Sequence, residues 1–91
     1  MATQILAVGT TAASSADVVI ASGGTLTVSL KDSDGGYVKG RVRIELKDDG
    51  GKYVVVGELS GTVGRSSVVI DAAGTYRFTR YPGDSCGVFS A

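Results

Sequence analysis

The chain predicts an all-β sandwich of seven to eight short antiparallel strands, and three observations carry that expectation. Apolar and polar residues alternate with a period of two in segment after segment, while no segment shows a helical period. Turn-forming residues recur at short intervals. Glycine, 14 of 91 residues against a single proline, supplies the turns, and valine and threonine supply the strands. A chain of this length closes one thin core, so a single sandwich is expected.

Thr3 to Val8 reads as a short apolar strand. The following Gly9-Thr10-Thr11-Ala12-Ala13-Ser14-Ser15-Ala16 has the small-residue composition of a tether. The expected organisation is therefore an N-terminal arm over residues 1–16, holding the first strand and linker, and a β-sandwich over 17–91. Ile5, Leu6 and Val8 are the arm's apolar contacts, able to pair with the domain's own sheet edge or with a neighbour's. Asp17 to Ala21 is a second short strand, stopped by Ser22-Gly23-Gly24. In Thr25 to Leu30 the alternation is strict: Leu26, Val28 and Leu30 face the core and the hydroxyl residues face out. Asp32-Ser33-Asp34-Gly35-Gly36 closes that strand.

Arg41 to Lys47 is the cleanest strand, with Val42, Ile44 and Leu46 inward and four charges outward. Asp48-Asp49-Gly50-Gly51 predicts a two-residue hairpin turn. Tyr53 to Leu59 is a nearly continuous apolar run in which Gly57 marks a bulge or a close backbone approach. Gly61 to Arg65 turns into a strand over Ser66 to Ile70. Thr75 to Tyr81 alternates with Tyr76 and Phe78 inward, Tyr81 to Asp84 turns, and Cys86 to Ser90 closes the fold. Lys31-Asp32-x-x-Gly35-x-Tyr37-Val38 is echoed by Lys47-Asp48-x-x-Gly51-x-Tyr53-Val54; two copies make two similar hairpins, not a repeat protein.

Asp71-Ala72-Ala73-Gly74-Thr75-Tyr76 resembles the corner that carries a strand between the sheets of immunoglobulin-like sandwiches. Gly74 supplies permissive backbone, Asp71 caps the turn, and Tyr76 buries its ring and returns its hydroxyl to upstream backbone. These three are the fold-critical residues. Immunoglobulin domains proper place a Cys two residues after that Tyr. Here Phe78 stands there, so the resemblance is to disulfide-free immunoglobulin-like sandwiches.

The chemical inventory excludes most activities. Without His there is no Ser-His-Asp or Cys-His arrangement and no imidazole metal site. Asp32-Ser33-Asp34-Gly35 opens like a calcium loop, but Gly36 and Arg43 stand where the fifth and twelfth ligands belong. Cys86 cannot form an intrachain disulfide and reads as a small buried hydrophobe, which fits assembly in a reducing cytoplasm. No catalytic, cofactor-binding or metal residue is expected, and the protein reads as no enzyme. Lys plus Arg and Asp plus Glu each number 9, so no global field draws it to nucleic acid or to an anionic membrane. No stretch spans a bilayer, and no signal peptide is expected.

Arg41, Arg43, Arg77 and Arg80 remain to be weighed for contact with a partner. The first three fall on outward phases of neighbouring strands and predict a basic stripe diluted by Glu45. Such a stripe is either an ordinary solvated face or a docking surface for an acidic protein.

The Ala/Thr/Ser-rich leading segment, Asp17-Val18-Val19-Ile20 before Gly23-Gly24-Thr25-Leu26-Thr27-Val28-Ser29-Leu30, then Gly74-Thr75-Tyr76-Arg77-Phe78 and Gly87-Val88-Phe89, together resemble the small immunoglobulin-like virion structural proteins of tailed bacteriophages, the head decoration or cement proteins. The resemblance spans nearly the whole chain and implies a non-enzymatic virion protein, assembled in the host cytoplasm and bound to the outer capsid surface. The partners it implies are the major capsid protein or another virion protein, with a homo-oligomer on the particle, no nucleic acid and no membrane. The competing class is an immunoglobulin-like binding module of a tail, fibre or adhesin that recognises a cell-surface carbohydrate or protein, with Tyr37 and Tyr53 beside its turns.

Overall fold

The computed structural model describes residues 3–32, 39–61 and 64–90. Nine strands follow in order: β1 (Thr3–Gly9), β2 (Ala13–Ser14), β3 (Val18–Ile20), β4 (Leu26–Lys31), β5 (Arg41–Lys47), β6 (Tyr53–Ser60), β7 (Ser67–Ile70), β8 (Gly74–Arg80) and β9 (Cys86–Ser90). They form two antiparallel sheets, one in the order β1-β9-β4-β7 and the other in the order β2-β8-β5-β6, with β3 also pairing β8. The expected sandwich is therefore present. Its additional strand is β2, in the segment read as a tether, where Ala13 and Ser14 pair with Arg80 and Thr79.

Strict alternation builds the core. Val28, Val42, Leu59, Phe78, Cys86 and Val88 are fully buried, and Leu6 of β1 and Ile20 of β3 join them. Each such side chain contributes about 1.5–3 kcal/mol by leaving water. β1 pairs β9 within the same chain, through a register interrupted between Gln4 and Gly9. Burial pushes the Cys86 thiol pKa above its ordinary value, which keeps the sulfur in its packing role.

Turn chemistry follows the side chains available. Asp48 Oδ1 accepts hydrogen bonds from the amides of Gly50 and Lys52, both at 2.9 Å. The hairpin is longer than the two-residue turn expected, because Asp48 N donates to Lys52 O and Gly51 takes φ +80° inside the loop. The echoing turn over residues 33–38, with Tyr37 and Asp34, lies outside the described residues. In β6 the register with β5 slips between Ile44↔Gly57 and Glu45↔Val55, so a bulge occupies the place that Gly57 marks in the sequence.

At the corner before β8, Tyr76 is buried and its hydroxyl donates to Ala72 O at 2.9 Å. Gly74 has φ +154°, and a Cβ there would stand 2.8 Å from Leu46 Cδ1. Asp71 does not cap this turn: it is exposed and makes no side-chain hydrogen bond among the described residues. Backbone conformation and the Tyr76 bond close the corner without it.

Candidate functional site

The outward face of β8, β5 and β6 gathers most of the charged side chains that the sequence singles out. Register places Arg43 of β5 between Glu58 of β6 and Thr79 of β8, and Glu45 between Val55 and Arg77. Arg41, Arg43 and Arg77 thus share one face, as their strand phase predicts. Their charges are largely engaged. Arg77 Nε donates to Glu45 Oε1 at 3.0 Å, and Arg41 Nη2 donates to Glu58 Oε2 at 2.9 Å.

Glu45 anchors a relay of hydroxyls. Thr79 Oγ1 donates to Glu45 Oε1 at 2.5 Å, so its single hydrogen is spent, and Ser14 Oγ, 2.8 Å away, donates to the Thr79 oxygen in turn. Burial works to raise the Glu45 pKa. The bonds from Arg77 and Thr79, with the charges of Arg77 and Arg43, overcome it and hold the carboxyl below its ordinary value. The bond to Glu45 raises the Arg77 pKa in return.

Two tyrosines organise the arginines into separate clusters. The Arg77 guanidinium lies 3.6 Å from the centre of the Tyr53 ring, whose hydroxyl donates to Asp17 Oδ1 at 2.5 Å and is thereby raised in pKa. Lys47 Nζ stands 3.6 Å from Asp17 Oδ2. At the other end, Arg41 and Arg43 approach the Tyr81 ring at 4.4 and 5.3 Å. Arg43 is the exception in this face. Its Nε is buried and makes no hydrogen bond among the described residues, and no carboxylate pairs with it.

Two expected roles are placed elsewhere. Arg80 is not available to a partner: it is 4% exposed and continues the inward phase of Tyr76 and Phe78. Its Nε donates to Thr11 O at 2.7 Å, and its Nη1 donates to Ala7 O at 2.7 Å and to Cys86 O at 2.9 Å. Of the arm residues, Leu6 is buried in the core, Ile5 packs against it, and Val8 is half-buried. Leu6 and Ile5 thus pack in the chain's own sandwich, the first of the two pairings expected of the arm. The feature that sequence reasoning missed is the ion pairing of the stripe: Glu45 pairs with Arg77, which faces it, whereas Glu58 faces Arg43 but pairs with Arg41.

Among the described residues no group of His, Cys, Asp and Glu is placed to hold a metal ion. Paired, stacked side chains make this sheet face a polar surface. Arg77 covers one face of the Tyr53 ring.

No family model matches the chain, and no curated protein matches it in sequence. In fold it is similar to the crystal structure of the SPBc2 prophage-derived protein YomS, with a TM-score of 0.61 and 13% identity. The likeness covers 100% of this chain and 92% of that one, so it extends to both sheets and the leading strands.

Proposed function

We propose that this chain is a non-enzymatic structural protein of a tailed-phage virion, a decoration or cement protein on the outer capsid surface. The observation that carries this reading is the end-to-end fold likeness to a prophage-derived protein, which agrees with the sequence resemblance to phage virion proteins. The face around Arg43 is the proposed attachment surface. Its neighbours are already oriented by Glu45, Glu58 and the two tyrosines, so a partner meets a surface whose side-chain entropy is largely spent. Arg43, which enters no ion pair among the described residues, is the cation of this face proposed to meet an acidic residue of the major capsid protein or another virion protein. Many copies on a symmetric lattice need only weak individual contacts.

The test is cosedimentation with particles assembled from the genome that encodes the chain. Bound protein in a fixed ratio to the major capsid protein is expected, with occupancy that falls as salt rises. Arg43→Ser should weaken it while leaving the monomer folded. Particles that carry no copy of the chain overturn the virion reading; particles that bind Arg43→Ser as tightly as wild type move the attachment elsewhere.

A further inference from the structure

β6 and the chain leading into β7 share one antiparallel rung and then separate into different sheets. Ser60 N donates to Arg65 O at 2.9 Å and Arg65 N to Ser60 O at 2.8 Å, so both backbones are engaged at that end. The rung that would follow, Glu58 to Ser67, is not made among the described residues. Ser60 turns its amide and carbonyl away from β5, and Glu58, two residues back, has the same phase; Val56 is the extra residue of the bulge, with no partner in the β5 register. On β7, Leu30 N donates to Ser66 O at 2.7 Å, which turns Ser66, Val68 and Ile70 toward β4 and leaves the amides and carbonyls of Ser67 and Val69 facing away from it.

A cleft of about 500 Å³ opens between these two rows. Val56, Gly57 and Glu58 line one wall and Ser67 to Ile70 the other. Consecutive residues line a cavity together where a strand presents its edge, since a strand's face would contribute alternate residues alone. The two ends differ in charge. Arg65 stands at the closed end and Asp71 at the open one, both exposed, and the side chain of neither makes a hydrogen bond or ion pair among the described residues. Glu58 is already paired with Arg41 at 2.9 Å, so Arg65 is the charge that an anion meets at the closed end.

We propose that this cleft takes the C-terminal segment of a partner protein, extended between β6 and β7 with its free carboxylate at Arg65. Two flanking rows of unpaired backbone groups call for another backbone. The Ser60–Arg65 rung blocks an in-line strand, so the segment that enters must end there. A terminal carboxylate suits the cation at that end, where a terminal ammonium would be repelled.

The segment then runs antiparallel to β7. With its last residue opposite Ser67, the third from its end lies opposite Val69, and both exchange backbone hydrogen bonds with β7. The second and fourth from the end lie beside Val68 and Ile70, facing the core, and are apolar. The fifth is opposite Asp71 on the outward face, where a lysine or arginine completes the fit. This site is separate from the Arg43 face, does not rest on the virion reading, and is tested on the isolated protein.

The probe is a fluorescein-labelled peptide, Arg-Val-Thr-Val-Ser with a free C-terminus, titrated with the protein and followed by fluorescence anisotropy. Saturable binding is expected at low ionic strength. The same peptide amidated at its C-terminus should bind about tenfold or more weakly. Arg65→Gln should cost a similar factor with the free acid and nothing further with the amide, because the two changes remove one interaction. Asp71→Asn should weaken binding of the arginine peptide and leave a peptide with serine in that place unaffected. Amide exchange of the unsubstituted protein adds a second measurement: Ser67 and Val69 should exchange more slowly in saturating peptide. Absence of saturable binding into the millimolar range overturns the proposal, as does an amide that binds as tightly as the acid, or exchange at both residues that the peptide leaves unchanged.

Discussion

On one side of the sandwich the chain passes between the sheets through β1, β2 and β3; on the other, β6 and β7 meet at the Ser60–Arg65 bridge and then part to leave the cleft. Polar groups stitch the first side. Arg80 holds carbonyls from β1, from the loop after it and from β9, and Ser15 both donates its amide to Phe78 O and accepts from Phe78 N. The second side leaves Val54, Val55, Val56 and Val69 exposed without such a polar strap, while on the first side Val19 of β3 is exposed as well. A sandwich side is sealed when side chains satisfy the backbone groups that the sheets leave over, and apolar content alone does not seal it.

Arg80→Met tests that contrast most severely. It deletes the hydrogen bonds from a cation to three carbonyls and leaves them unsatisfied. A loss of about 3 kcal/mol or more is expected in urea unfolding, because a buried acceptor without its donor keeps its full desolvation penalty. Amide exchange in β1 should quicken first. If β1 stays as protected as wild type, the strap is not what holds that side.

Gly74→Ala comes next, at about 2 kcal/mol, since φ +154° strains any residue with a Cβ and Leu46 must shift to admit one. Thermal unfolding measures it. Tyr76→Phe at the same corner removes one hydrogen bond from an otherwise unchanged ring and should cost about 1 kcal/mol. An unchanged unfolding midpoint would mean that backbone geometry alone closes the corner.

Glu45 supplies a pH signature. Its folded pKa lies below the ordinary value of 4.5, so the unfolded chain takes up a proton first as pH falls. The stabilisation is fully present above that ordinary value and is lost as pH falls through the folded pKa. Glu45→Gln should flatten this part of the acid limb in a melting-temperature profile; an identical slope in wild type and variant would show that Glu45 carries no such linkage. The smallest effect belongs to the open side. Val55→Thr should change stability by less than about 0.5 kcal/mol, because the valine is already half in water. A larger destabilisation in the dilute monomer would mean that the open side is packed in solution.

The sequence made the long strands legible because alternation survives wherever one face is buried: Leu26 to Leu30, Arg41 to Lys47 and Thr75 to Arg80 all follow their phase. It hid β2, since Ala13 and Ser14 lack strand propensity and are held by backbone bonds and by the hydroxyl of Thr79. Arg80 is the instructive case. Phase placed it inward with Tyr76 and Phe78, and its charge argued for solvent; the structure follows phase because backbone carbonyls gather there. The valines of β6 show the other direction: the apolar run did not say which of them is covered, and Val54, Val55 and Val56 are exposed. The basic stripe was legible as a location. Its neutralisation depended on cross-strand register, which one strand's pattern does not contain.

The position of β9 between β1 and β4 has a consequence for synthesis. Strands made first and fourth are joined only by the strand made last, so while Cys86 to Ser90 are still inside the ribosome, neither β1 nor β4 has that neighbour. Non-local closure of this kind folds slowly and leaves strand edges open meanwhile. The first sheet therefore stays incomplete until β9 has been made, and a chain cut short of β9 has two unmatched strand edges rather than a smaller working domain.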